Sequence, residues 1–251
     1  MRDLTYPPII ATAKLSFRLL GQRIRLSGTE NVPREGGVLL ACNHVSYLDF
    51  VYGGLAANPS GRLVRFMAKK EIFDHPVGGP VMRSMHHIPV DRGEGIDSFH
   101  RAVSYLRSGE AVGIFPEATI SRAFEVKQIK SGAVRIAAEA GVPVLPVAIW
   151  GTHRVFTKDH PKDFSRGRTI AISVGEPLHP DAGDPAGETD RLHAAMAALL
   201  DRTIRSYPAE EQPPGSWWLP ARYGGSAPTL EEAARLDAEE RAARVARRRS
   251  R

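Results

Sequence analysis

The sequence predicts an α/β fold: a mainly parallel, mixed sheet flanked by helices, with an amphipathic N-terminal helix and an extended C-terminal arm. Two observations predict the sheet. Short apolar runs recur between turn residues, and each reads as a strand. Segments with helical apolar spacing separate these runs, as crossovers between parallel strands do.

The elements follow in order. Residues 9–26, IIATAKLSFRLLGQRIRL, place Ile9, Ile10, Ala13, Phe17 and Leu20 on one helical face, with Lys14, Arg18 and Arg23 off it. That pattern fits a helix lying in a membrane interface or one packed on the core. GVLLAC (37–42) is a strand, and Tyr47 to Ala57 is a helix ended by Asn58-Pro59. LVRFMA (63–68) is a strand, 76–85 a short helix and HIPV (87–90) a short strand. The helix of 96–107 aligns Ile96, Phe99, Val103 and Leu106 and closes at Gly109. AVGIF (111–115) is a strand, Ser131 to Ala140 a helix stopped by Gly141, and VLPVAI (144–149) a strand. TIAISVG (169–175) is the last strand, and 188–206 is an amphipathic helix.

The expected division is an N-terminal segment at 1–28, a catalytic domain at 29–207 and an arm with a charged helix and tail at 208–251. In the arm, Trp217 and Trp218 suit anchoring to the core better than a bilayer interface. The closing RVARRRSR is a solvated tail or a site for anionic lipid.

Bulk properties narrow the function. One cysteine, Cys42, excludes an intrachain disulfide and suggests a reducing compartment. MRDLTYPP carries an acid and two prolines, so no leader is expected, and no run approaches the roughly 20 apolar residues of a spanning helix. The net charge of +6 favours anionic partners. Nucleic acid is not among them, because no helix-turn-helix, zinc-finger or aromatic-interleaved basic signature is present. His86-His87 lacks a further ligand at metal spacing, so no metal is expected.

The most informative stretch is Asn43-His44-Val45-Ser46-Tyr47-Leu48-Asp49. It follows a buried strand, and open α/β sheets carry their sites at strand ends. On a continuous helix, residues five apart face different ways, so His44 and Asp49 meet only if the chain turns between them. Such a pair suits a histidine base oriented by a carboxylate. Cys42 points the same way as His44 in extended chain; a buried core thiol is the simpler reading than a nucleophile.

Three more segments join it: MHHIPVDRG with Arg92, VGIFPEATISR with Glu117 and Arg122, and VPVLPVAIWGTHR. With these four blocks in this order, residues 25–180 resemble the glycerophospholipid acyltransferase family, the lysophosphatidic acid acyltransferases and their glycerol-3-phosphate relatives. Asn43, His44 and Asp49 match the N-H-x-x-x-x-D block, and Asp91-Arg92 matches the second. FPEATIS stands where the family has F-P-E-G-T-R-S, so Ala118 replaces glycine and Ile120 replaces arginine. Val142 to Val147 match the fourth block, and Lys130-Ser131-Gly132 looks like the lysine-glycine element after the third. The FPEATIS variant and the WW…GGSAPT tail look similar to the actinobacterial branch.

The resemblance implies a glycerolipid acyltransferase fold and acyl transfer from acyl-coenzyme A or acyl carrier protein to lysophosphatidic acid or a related glycerophosphate. It implies no cofactor beyond the acyl donor, and a peripheral place on the anionic, cytoplasmic face of the cell membrane. His44 would be the base and Asp49 its orienter. Arg92 would bind phosphate, Glu117 would meet the glycerol or an arginine, and Lys130 would offset charge at the phosphate or oxyanion. An Arg92–Glu117 ion pair of purely structural role is the competing reading, and Arg122 and Lys130 also suit ordinary surface charges. With Ile120 in the arginine's place, either Arg122 takes over the phosphate or the acceptor headgroup differs, as in a lysophosphodiester or glycolipid. A thioester or phospholipid hydrolase and a non-enzymatic lipid binder are the competing functions; the absence of a G-x-S-x-G elbow speaks against a serine hydrolase.

Overall fold

A computed structural model describes residues 3–91 and 95–249. Seven strands form one sheet: β1 (Arg23–Ser27), β2 (Val38–Cys42), β3 (Val64–Lys69), β4 (Ile88–Val90), β5 (Ala111–Ile114), β6 (Val144–Trp150) and β7 (Thr169–Val174). Their spatial order is β1-β7-β6-β2-β5-β3-β4. Only the β6–β7 pair is antiparallel; the other neighbours run parallel.

Strand β2 lies at the centre, and every one of its residues is buried. Its side chains alternate between two cores, as a strand's must. Leu39 and Ala41 join the core beneath α5 (Gly95–Arg107), α6 (Gly132–Ala140) and α7 (Pro185–Arg205). Val38, Leu40 and Cys42 join the opposite core, with Phe17 of α1 (Tyr6–Leu19) and Tyr52 of α2 (Asp49–Gly53). A strand covered on both faces reads as an unbroken apolar run, which GVLLAC is. The remaining helices are α3 (Lys70–Phe73), α4 (Gly78–Ser84) and α8 (Leu230–Arg249).

Two local expectations change. The N-terminal helix stops at Leu19, and the rest of 9–26 turns at Gly21 (φ 59°) and becomes the edge strand β1. Its mixed basic and apolar residues suit an edge with one neighbour, and that same mixture reads as helical in sequence. The helix of 47–57 starts at Asp49 and passes into 3-10 turns over Gly54–Ser60. The glycine pair Gly53-Gly54 and the internal Pro59 weaken its α-helical hydrogen bonding.

Helix α1 packs on the body through Phe17, stacked on Tyr52 at 4.6 Å, and through the Tyr6 hydroxyl, which donates to the Val64 carbonyl at 2.7 Å. Leu15 and Leu19 stay exposed, as does Leu4 just before it. Among the described residues no helix is long and apolar enough to cross a membrane. In the arm, Trp218 is buried beside Trp150 while Trp217 stacks on His160.

Buried His87 ties β4 to β3: its Nδ1 accepts from the Phe66 amide at 2.9 Å. Burial pushes its pKa down to about 4, with Arg65 and His86 adding to the shift. The unfolded chain therefore takes up a proton near the usual histidine value of about 6.5, while the folded chain refuses it until about pH 4. Stability from this group is complete above pH 6.5 and drains away as pH falls toward 4. The urea midpoint should fall over that window, and His87→Gln should make the fall shallower.

Candidate active site

Three neighbouring parallel strands, β6, β2 and β5, end on the same edge of the sheet, and each delivers part of one site. Strand β2 leads into Asn43 and His44, β5 into Phe115 and Glu117, and β6 into Gly151 and Thr152. This is the carboxyl edge, where open α/β sheets leave a crevice.

The chain turns between His44 and Asp49, and the two side chains meet. His44 Nδ1 lies 3.0 Å from Asp49 Oδ2. The same oxygen accepts the Val45 and Ser46 amides, both at 2.7 Å, so the carboxylate itself closes the turn. Asp49 Oδ1 accepts the Thr152 hydroxyl at 2.7 Å. Asp49 is fully buried, whereas the His44 side chain is 21% exposed and stacks on Phe115. With Nδ1 committed to Asp49, Nε2 is the nitrogen left for chemistry.

The backbone of His44 is held as firmly as its ring. Asn43 extends the β2–β6 ladder with its side chain, donating to the Ile149 carbonyl at 3.1 Å and accepting the Ile149 amide at 2.7 Å. Glu117 Oε1 accepts the His44 amide at 2.8 Å, and its Oε2 accepts the Lys127 amide at 3.3 Å. The Ser121 amide donates to the His44 carbonyl at 2.7 Å. Burial pushes the Glu117 carboxyl up to about 8 despite those two amides.

A family model described as Acyltransferase matches residues 23–150, just over half the chain and all three strand ends. The chain belongs to this acyltransferase family. A 1-acyl-sn-glycerol-3-phosphate acyltransferase of Bacillus subtilis is 32% identical over 183 residues, covering 72% of this chain and 86% of the relative. One of Borreliella burgdorferi is 30% identical over 178 residues, covering 68% of each. In fold, the chain is similar to the crystal structure of the 1-acyl-sn-glycerophosphate acyltransferase PlsC from Thermotoga maritima. The TM-score is 0.64 at 22% identity, over 80% of each chain.

The other expected site residues of this acyltransferase are placed as follows. Glu117 braces the His44 amide from within the fold, so the contact it makes is to backbone. Arg122 is engaged by three carboxylates: Asp159 at 2.6 Å, Glu240 at 2.9 Å and Asp237 in close contact. Lys130 is exposed, and its amide donates to the Pro116 carbonyl at 3.0 Å. Arg92 lies outside the described residues, while its neighbour Asp91 pairs with Lys70 at 2.8 Å. Ile120 is buried. Burial raises the pKa of the Cys42 thiol, and Asp49 adds to the rise, so Cys42 is a core thiol and no nucleophile at neutral pH. Among the described residues no group of three His, Cys, Asp or Glu side chains is arranged to hold a metal.

Sequence reasoning missed Thr152 and Lys127. Thr152 follows Gly151, whose φ of 96° and whose close approach to the Thr169 carbonyl (2.4 Å for an added Cβ) require glycine. The dipeptide Gly-Thr after a buried strand was the available signal.

Two outcomes test this geometry. Thr152→Val keeps the shape but leaves Asp49 Oδ1 without its hydroxyl donor; kcat should fall about tenfold with KM nearly unchanged. Ala118 sits at φ 61°, the left-handed region where the family pattern has glycine. Ala118→Gly should raise stability by about 1 kcal/mol, read as a higher urea midpoint at constant m.

Proposed function

We propose that this acyltransferase moves a fatty acyl group from a thioester of coenzyme A or acyl carrier protein to the free hydroxyl of lysophosphatidic acid. The observation that carries the reading is the 3.0 Å contact of His44 Nδ1 with buried Asp49 at the sheet's carboxyl edge. The names of its relatives supply the acceptor.

A hydroxyl is a poor nucleophile until a base takes its proton. His44 Nε2 takes that proton as the acceptor oxygen attacks the thioester carbonyl. Asp49 holds the Nδ1–H tautomer and stabilises the imidazolium that forms, as the acid of a serine-protease triad does. Here the substrate itself supplies the attacking oxygen. The tetrahedral intermediate collapses, the carbon–sulfur bond breaks, and the thiolate leaves. A thiol has a pKa of about 8.5, so departure needs little help, and the imidazolium returns its proton to the sulfur.

Arg92, Arg122 and Lys130 are the cations assigned to the acceptor phosphate and to charge developing at the carbonyl. Glu117 serves as a positioning residue: it fixes the His44 main chain by accepting its amide. Lipid substrates require a place at a bilayer. The exposed Leu4, Leu15 and Leu19 and the basic residues of α1 suit the anionic cytoplasmic face of the cell membrane, with the chain peripheral.

The test is thiol release from palmitoyl- or oleoyl-coenzyme A with lysophosphatidic acid, glycerol 3-phosphate or no acceptor. Release should require lysophosphatidic acid, and His44→Ala should lower kcat about a thousandfold. Release without an acceptor would make the protein a hydrolase. A His44→Ala variant as active as wild type would overturn the mechanism.

A further inference from the structure

Three cations, Arg122, Lys127 and Lys158, stand on the segments that hold His44. Arg122 follows Ser121, whose amide bonds the His44 carbonyl at 2.7 Å. Lys127 gives its own amide to Glu117, which in turn accepts the His44 amide. Lys158 follows Thr157, whose hydroxyl donates to the Val45 carbonyl at 2.6 Å. The cations converge in space and share the same carboxylates. Ile120 carries no charge, and these clustered cations come from the loop after β5 and the segment after β6, beside the catalytic turn.

Two of those carboxylates come from the far end of the chain. Asp237 of α8 contacts Arg122 and lies 3.0 Å from Lys127 and 3.6 Å from Lys158. Glu240 lies 2.9 Å from Arg122 and 2.5 Å from Lys158. At a spacing of three they share one helix face and present two adjacent negative charges. A phosphate monoester presents roughly the same charge near pH 7.

Helix α8 is otherwise weakly held. Ala233 is its fully buried apolar side chain, and Leu236 is half-buried. Its start is fastened locally: the Thr229 hydroxyl accepts the Glu232 amide, and Glu232 accepts the Thr229 amide. Among its attachments to the body are five ion pairs to this one cluster, with Glu240 the most exposed of the partners. The pairs of Glu240, whose carboxylate is 39% exposed, are weakened by salt.

We propose that Lys127 and Lys158 join Arg122 in binding the phosphate monoester of the acyl acceptor, and that α8 closes this cluster with Asp237 and Glu240 as competing anions. This deepens the acceptor assignment above and rests on it. The acceptor's phosphate replaces the two carboxylates, and α8 swings away from the mouth of the site. The apparent affinity for acceptor is lowered by the fraction of molecules in which α8 is docked. The last turns of α8, RVARRR, are arginine-rich, so an anionic surface favours the undocked state.

The test uses the full chain. In the double variant Asp237→Asn, Glu240→Gln, KM for lysophosphatidic acid should fall about tenfold with kcat retained. Hydrogen exchange supplies a readout that needs no turnover. Glycerol 3-phosphate should reduce amide protection across residues 230–247 of the wild type, while glycerol should not. An unchanged or raised KM in the variant overturns the proposal, and so does α8 protection that glycerol 3-phosphate leaves unchanged. If phosphatidylglycerol vesicles loosen α8 and glycerol 3-phosphate does not, the cluster reads bilayer lipid and the proposal also falls. If wild type turns over no acceptor, the function assigned above fails, while the exchange measurement still decides whether this cluster binds a monoester.

Discussion

Every part of the site depends on one buried carboxylate. Asp49 is fully enclosed, and an enclosed charge is tolerable only where donors surround it. It has four: two amides of the turn, the Thr152 hydroxyl and the His44 ring. These donors come from two strand ends, so the carboxylate joins β2 to β6 where the sheet's own ladder stops. The same contacts shape the 43–49 turn and aim the imidazole. Function and local fold meet in this one side chain: removing the Asp49 carboxylate frees the imidazole and opens the turn together.

The sheet makes that arrangement possible. Parallel neighbours send their carboxyl ends to one edge, so residues far apart in sequence arrive together without special folding. The loop from Phe115 to Lys130 follows β5 and has no regular structure, yet Glu117, Ile120, Ser121, Phe124, Val126 and Ile129 are buried in it. It is a packed loop, with Glu117 as its inner strut. Ala118, Phe124 and Asp159 all take left-handed backbone in or beside this region. Strain of that kind persists where surrounding contacts over-determine the backbone.

Much of this was legible in the sequence. The apolar runs marked six of the seven strands, because a strand covered on both faces has one reading. Strand β1 escaped because an edge strand of alternating Arg and apolar residues looks like the end of a basic amphipathic helix. The His44–Asp49 contact was legible because five-residue spacing forces a turn. The inward role of Glu117 was not: nothing in FPEATIS says whether a carboxylate faces substrate or a backbone amide. Nor was the pairing of Arg122 with Asp237, 115 residues away, since no periodicity connects loop and tail.

The replacement at Ile120 gains a physical reason from that pairing. A side chain at 120 points into a buried position, where an arginine needs its own partners or costs several kcal/mol. Isoleucine fills the space and leaves charge to Arg122, Lys127 and Lys158, which lie nearer the surface and can exchange one set of anions for another. A cation fixed in the interior is bound to one geometry; a cluster at the mouth can be covered and uncovered. The cover proposed for it is α8, a polar helix that reaches the cluster through Asp237 and Glu240. Moving the positive charge outward by a few residues thus changes more than where a phosphate can sit. With α8 as the proposed cover, the site's electrostatics would depend on a helix that salt, acceptor or an anionic surface can displace.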